Sequence, residues 1–365
     1  MKIQGRSAHP RPRRCLRGAQ LFLALAGAYC GCAVSAAEAG RIPLVRGLTT
    51  TSAVSEAAGD YETLATIGDI TATHYKLTLS GEAPDDSGEV REMHVSRNVR
   101  LEDARSSRVL RRYFDESDPE EFPGTTPQFS AVMIDELRST GKTTMTYQDV
   151  APSFFAPVVK RTLRGSLVRV GPGAVTMPIL VNGKVTPLRA WHVAGHLTAG
   201  ADGDDFDFWV LDDPDNPLRL QSKGPGFTSS VLKIDFPVST PSGSSIEQSL
   251  AQQKQAVVYG IYFKFARADI RPESQRILGQ IAAILKKNSA WHLRIVGHTD
   301  NVGGNASNLD LSRRRAVAVE AALVERYGID AARLSSTGFG ASQPQEKNDS
   351  PEGRARNRRV ELIRE

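Results

Sequence analysis

The chain has 365 residues, 40% hydrophobic and 24% charged, with 31 Gly and 20 Pro. That is a globular balance, too long for one ordinary domain and sized for two. No apolar run reaches the ~18–20 residues of a membrane-crossing helix, which excludes an integral helical membrane protein. The net charge of +5 is misleading, because Lys2, Arg6, Arg11, Arg13, Arg14 and Arg17 all precede residue 37, with no acid among them. Taking those six charges away leaves the remainder at −1. A near-neutral body carries no electrostatic footprint for nucleic acid.

Residues 1–36 read as a secretory signal peptide. An Arg-rich start precedes the apolar run from Ala19 to Ala28, and Val34-Ser35-Ala36 offers a cleavage site, with Ala37-Glu38-Ala39 as a second. All three cysteines, Cys15, Cys30 and Cys32, fall in this leader. The body after it is expected to hold no disulfide, thiolate metal site or cysteine nucleophile. Cys30 and Cys32 also raise lipid anchoring as an alternative, although Tyr29 stands where an acylation motif wants a small or Leu-like residue.

Residues 37–60, rich in Ala, Thr, Ser and Gly, read as a flexible lead-in. Residues 61–236 read as a mainly antiparallel β domain. Tyr75 to Leu79 and Leu163 to Val170 alternate at period 2, and Arg108 to Phe114 is open between helix and strand. Phe129 to Leu137 is the one helix expected here, with Ser130 as cap. Asn182-Gly183 between Pro178–Val181 and Lys184-Val185 marks a hairpin with a type I′ turn. Trp191 to Leu197, Phe206 to Leu211, Leu218 to Leu220 and Val231 to Ile234 complete the strands. A linker and short helix follow over residues 237–256, opening on PVSTPSGSS.

From Val257 the texture becomes α/β. Val258 to Phe265 reads as a strand. In the helix from Pro272 to Asn288, Ile277, Leu278, Ile281, Ile284 and Leu285 share one face. Strand Trp291 to Val296, helix Leu309 to Tyr327 ended by Gly328, and strands Arg333 to Thr337 and Arg358 to Ile363 follow. The order βαβαββ predicts an α/β sandwich.

Ordered motifs run through this region: Gly297-His298-Thr299-Asp300-Asn301-Val302-Gly303, then Asn308, then Leu311-Ser312-Arg313-Arg314-Arg315-Ala316, then Gly338-Phe339-Gly340, then Asn357-Arg358-Arg359-Val360-Glu361. Residues 257–365 thereby resemble the OmpA-like peptidoglycan-binding domain shared by outer-membrane porins, peptidoglycan-associated lipoproteins and flagellar stator subunits. The resemblance implies that Asp300 and Arg315 grip the diaminopimelate of the peptidoglycan stem peptide, with Thr299 beside Asp300. It implies that Asn308 shapes the pocket and that Arg358 lines it from the return strand. The chemistry is apt, since a carbon bearing both ammonium and carboxylate wants one anion and one forked cation. The turn Asn301 to Asn308 could add backbone N–H groups for the carboxylate. His298 is expected to pack at the strand end. The sequence departs from the family at Phe263-Lys264-Phe265-Ala266, where many members carry acids after the aromatics.

The β domain offers weaker signals. His192 and His196 on one strand would lie ~13 Å apart and could not share a metal ion. Asp202, Asp204, Asp205 and Asp207 lack calcium-loop spacing, and Asp212 to Pro217 is turn chemistry. No cofactor, metal or catalytic residue is expected. The resulting expectation is a non-enzymatic protein of the periplasm, associated with cell wall and outer membrane. It would bind peptidoglycan, contact an envelope protein through the β domain, and reach the membrane through lipidation or a partner. The alternative is an envelope enzyme whose β domain is catalytic and whose C-terminal domain only targets it.

Overall fold

The computed structural model describes residues 40–56, 59–84, 89–112, 119–150, 160–237 and 245–365. The expected leader and most of the linker lie outside the described residues.

The N-terminal part is one twelve-stranded sheet. Its first strands are β1 (Thr49–Glu56), β2 (Gly59–Ile70), β3 (His74–Pro84), β4 (Val90–Arg100), β5 (Val109–Arg111) and β6 (Lys142–Val150). The rest are β7 (Lys160–Arg169), β8 (Val175–Val181), β9 (Lys184–Ala199), β10 (Asp202–Leu211), β11 (Arg219–Gly224) and β12 (Phe227–Asp235). The order is β4-β3-β2-β1-β12-β11-β10-β9-β7-β6-β5. All pairs are antiparallel except β5 with β6 and β8 with β12. β8 pairs with both β9 and β12, so the path β12-β11-β10-β9-β8 closes on itself. The sixteen residues of β9 allow this, its first half serving β8 and its second half β7. The ring supplies Ile179, Leu188, Leu220 and Ile234 to one buried cluster.

Local chemistry explains the turns. Asn182 and Gly183 have φ of 48° and 80°, the left-handed pair that a type I′ turn requires. Helix α1 (Leu101–Ser106) is short, while α2 (Ala131–Ser139) is the helix expected near Phe129. Ser130 caps α2 by accepting from the Met133 N–H. Met133, Ile134 and Leu137 are buried in a second cluster with Tyr147, Phe206 and Phe208. Of the stretch Arg108 to Phe114, left open between helix and strand, Val109–Arg111 is β5, and its last two residues lie outside the described residues.

The structure corrects the lead-in. β1 begins at Thr49, and Ile42 and Leu48 are buried. The Asp212–Pro217 turn holds that segment down: Asp213 accepts from the Asp215 and Ile42 N–H groups, and Asn216 donates to the Ile42 carbonyl. Small polar residues conceal this order because their partner lies about 170 positions away, at 171 and 174.

The C-terminal part begins with α3 (Ser245–Gln253) and β13 (Gln255–Val258). A 3-10 turn at Pro272–Ser274 leads into α4 (Gln275–Lys287) and β14 (Leu293–His298). Then come α5 (Asn305–Glu325), β15 (Leu334–Gly340), α6 (Pro351–Asn357) and β16 (Val360–Arg364). The sheet order is β13-β16-β14-β15, with β14 and β15 parallel. Leu278, Ile281, Ala316, Val319 and Leu323 pack with Ile295 and Leu362 in its core.

Four expectations change. The strand placed at Val258 to Phe265 is β13, which pairs with β16 and ends at Val258. Beyond it Tyr262 turns away and its hydroxyl meets that of Thr51 at 2.8 Å, so this apolar segment packs between domains instead of extending the sheet. α5 starts at Asn305 rather than Leu309, and so shortens the turn expected over Asn301 to Asn308. α6 replaces the expected direct β–β return: Ser350 caps it and Pro351 sits in its first turn. Its Arg-rich sequence shows no apolar stripe, only Ala355 buried with Ala53 and Leu232. Arg358 therefore caps α6, one residue ahead of Arg359 and outside the strand.

Two glycines set the spacing between α5 and the sheet. A Cβ on Gly297 would lie 2.2 Å from the Ser312 carbonyl, and one on Gly338 would lie 2.3 Å from the Arg313 nitrogen. Both obstacles are helix backbone. Gly338→Ala is expected to cost about 1–3 kcal/mol, lowering the melting temperature by roughly 5–10 °C. An unchanged melting temperature would show that the helix is free to retreat.

Candidate functional site

β14 delivers its last residues to the mouth of the sheet, and the chain then turns into α5. Asp300 is 8% exposed. Its Oδ1 accepts from the Val302 N–H at 3.0 Å, and its Oδ2 accepts from the Arg358 guanidinium at 2.7 Å. Thr299 is buried, its hydroxyl donating to the Asp300 carbonyl at 2.9 Å and its N–H to the Gly340 carbonyl. Asn308, also buried, donates through Nδ2 to the carbonyls of Asp300 and Val302 at 3.3 and 3.1 Å. These two residues fix the turn that presents the carboxylate. The backbone donors expected there are partly committed, since the Val302 N–H serves Asp300 and the Asn308 N–H bonds the Gly304 carbonyl.

Arg315 projects from α5 into the same space. Its Nε donates to the Arg267 carbonyl at 3.0 Å, and its guanidinium lies 4.9 Å from the centre of the Phe263 ring. Burial first, and then the charge of Arg358, lower its guanidinium to about 10, so it remains cationic at neutral pH. Among the described residues no carboxylate pairs with Arg315.

Arg358 is the opposite case. It contacts Asp300 at 2.7 Å and Glu62 of β2 at 2.9 Å. Burial works against its charge, yet these two carboxylates hold its guanidinium above the ordinary value.

All five residues expected from the sequence, Asp300, Arg315, Asn308, Thr299 and Arg358, line one cavity of about 740 Å³. The other wall belongs to the β domain: Asp60, Tyr61, Glu62 and Glu82. Asp60 pairs with Arg354 of α6, and Glu82 accepts from the Phe265 N–H at 3.0 Å. Glu352 bonds Gln221 and Ser230, and Lys233 donates to the Tyr259 carbonyl at 2.9 Å. Sequence reasoning missed this wall. Glu62 lies 296 positions from Arg358, and nothing local distinguishes it from any other acid on a strand.

His298 is buried at the strand end, with Nε2 3.6 Å from Glu361. Glu361 is held down at about 2, by His298 first and by hydrogen bonds from Arg359, against the opposing effect of burial. A carboxyl lowered on folding stabilises the protein above its unfolded pKa, and that stability is lost as pH falls. Acidification from about pH 4.5 to pH 2 is therefore expected to remove on the order of 3 kcal/mol at Glu361. Glu361→Gln should be the less stable protein at pH 7, and the gap should close by about pH 2. Denaturant unfolding across that range checks it, and a gap that does not vary with pH would refute it.

His192 and His196 each pair with their own carboxylate, Asp207 at 2.7 Å and Asp205 at 2.8 Å. Among the described residues no three His, Cys, Asp or Glu side chains converge on a metal position, and no helix is long and apolar enough to cross a membrane.

Residues 262–358 match the sequence model of the OmpA family. Outer membrane protein A of Bordetella avium is 41% identical over 101 residues, covering 28% of this chain and 52% of that protein. The peptidoglycan-binding protein ArfA of Mycobacterium bovis is 38% identical over 96 residues, covering 26% of this chain and 29% of that protein. The crystal structure of the peptidoglycan-associated lipoprotein from Burkholderia pseudomallei aligns at 31% identity over 29% of this chain and 88% of that one, with a TM-score of 0.27. The chain thus spans only 29% to 52% of the length of these two curated relatives. The family match falls on the segment that runs from beyond β13 to the end of α6, and it is this segment, residues 262–358, that is an OmpA-family domain.

Proposed function

We propose that this is an exported envelope protein that holds peptidoglycan without covalent chemistry, through the diaminopimelate of the stem peptide, and so tethers envelope components to the wall. The observation that carries the reading is Arg315, a cation without a carboxylate partner among the described residues, facing the same cavity as Asp300. Asp300 would take the ligand's ammonium and Arg315 its carboxylate. Asn308 and Thr299 would hold the turn, and Arg358 would position Asp300. The family match supports this, as does the similarity to a relative whose name states peptidoglycan binding. A leader at residues 1–36 would deliver the chain to the periplasm, where the β domain would engage an envelope partner.

The test is co-sedimentation of the two-domain chain with diaminopimelate-type sacculi, for wild type, Asp300→Ala and Arg315→Ala. Loss of either charge is expected to remove on the order of 2–5 kcal/mol of binding, enough to abolish retention at micromolar protein. Equal sedimentation of all three proteins, or none by wild type, would overturn the reading.

A further inference from the structure

The charges around Arg358 do not balance within the C-terminal domain alone. Asp300 is the anion assigned to the ligand's ammonium, yet its Oδ2 is already 2.7 Å from the Arg358 guanidinium. Taken together, that pair is neutral and a weak attractor for a cation. Glu62 changes the sum. It reaches the same guanidinium at 2.9 Å from the other domain, so two carboxylates share one positive charge and the group carries a net negative charge. Glu62 uses only Oε1 for these contacts, and Oε2 accepts from no described residue. Both carboxylates touch one guanidinium and line the same cavity.

Of the other lining charges, Arg354 pairs with Asp60, Arg314 with Asp310 and Arg359 with Glu361, while Arg271 lies 2.7 Å from Glu273 and 4.0 Å from Glu82, whose Oε2 accepts from the Phe265 N–H. A surplus anion therefore remains around Arg358, shared by Glu62 and Asp300, and a second around Arg271, while Arg315 is a cation with no carboxylate in contact among the described residues. The cavity is present with the two domains in contact, so an occupant needs no displacement of the β domain.

We propose that the ligand site is shared by the two domains: Glu62 of β2 acts with Asp300 as the receptor for the ligand's ammonium, while Arg315 takes the carboxylate. Glu62 is then a specificity-determining residue, selecting ligands whose carboxylate-bearing carbon also carries a free amine. This rests on the peptidoglycan reading and deepens it.

The experiment is calorimetric titration of the two-domain chain with a soluble stem tripeptide ending in diaminopimelate, and with the same peptide acetylated on the distal amine. Wild type, Glu62→Gln and Arg315→Ala are compared. Glutamine matches the shape of the glutamate it replaces and keeps a carbonyl for Arg358, and the variant's melting temperature confirms folding. Wild type is expected to prefer the free amine on the order of 10–100-fold. Glu62→Gln is expected to weaken the free-amine peptide about tenfold and leave the acetylated one unchanged, narrowing the preference. Arg315→Ala should weaken both. Unchanged affinity in Glu62→Gln overturns the proposal and leaves Glu62 as a clasp between domains. Tighter binding overturns it the other way, since the β domain would then be competing for Arg358. If wild type binds neither peptide, the peptidoglycan reading fails first, and the shared site fails with it.

Discussion

Arg358→Met is expected to destabilise the protein by about 3–5 kcal/mol, because it strips the common partner from two largely buried acids at once. In the native arrangement Asp300 and Glu62, 11% and 22% exposed at their side chains, are held by one guanidinium. Methionine fills much of the space but leaves two like charges without their shared cation. The loss should fall on the contact between the domains. Calorimetry is expected to show a lower first transition, with the C-terminal domain and β domain unfolding at more separated temperatures. Removing one acid as well should return part of the loss, so Glu62→Gln with Arg358→Met is expected to be more stable than Arg358→Met alone. A single-mutant cost below about 1 kcal/mol would mean that the three groups are solvated and that the site is not shared.

Loss of wall retention in Arg315→Ala is the second large effect, and Arg315→Lys refines it. Alanine removes the charge, the fork and the contact with Phe263 together. Lysine keeps the charge on a flexible stem. A guanidinium bonds a carboxylate through two parallel N–H groups, which an ammonium cannot do. Arg315 is also preorganised, since its Nε is tied to the Arg267 carbonyl and its plane lies over an aromatic ring. Arg315→Lys is therefore expected to lose most of the binding, roughly tenfold or more. Lysine variants that bind sacculi as well as wild type would show general attraction to an anionic polymer in place of a formed pocket, and salt dependence would then be steep.

The same contrast between local and distant determinants governs what could be read from the sequence. Asn182-Gly183, the Ser130 cap, the apolar face of α4 and the strand end that leads to Asp300 are local signals, each set by chemistry within a few residues, and they were legible. Asp300, Asn308 and Arg315 come together because a strand end, a turn and the following helix are consecutive. α6 was missed because its seven residues, Pro-Glu-Gly-Arg-Ala-Arg-Asn, have no periodic apolar face to betray it. The end of β13 was misplaced because Tyr262 and Phe263 look like strand residues, while their actual partners are Thr51 and Arg315. The β-domain wall of the cavity could not be read at all. Glu62, Asp60 and Glu82 acquire meaning only when a sheet formed far upstream, as the separation of 296 between Glu62 and Arg358 shows, is laid against the motif.

The placement of Asp60 and Glu62 on an inner strand has a mechanical side. β2 is stitched to β1 by pairings from Thr49↔Thr66 to Glu56↔Gly59, and to β3 on its other edge. A pull on whatever fills the cavity would reach β2 through Arg354 and Arg358, and both neighbouring strands would share the load. Tension would thus cross from one part of the molecule to the other through two guanidinium bolts and a two-sided ladder.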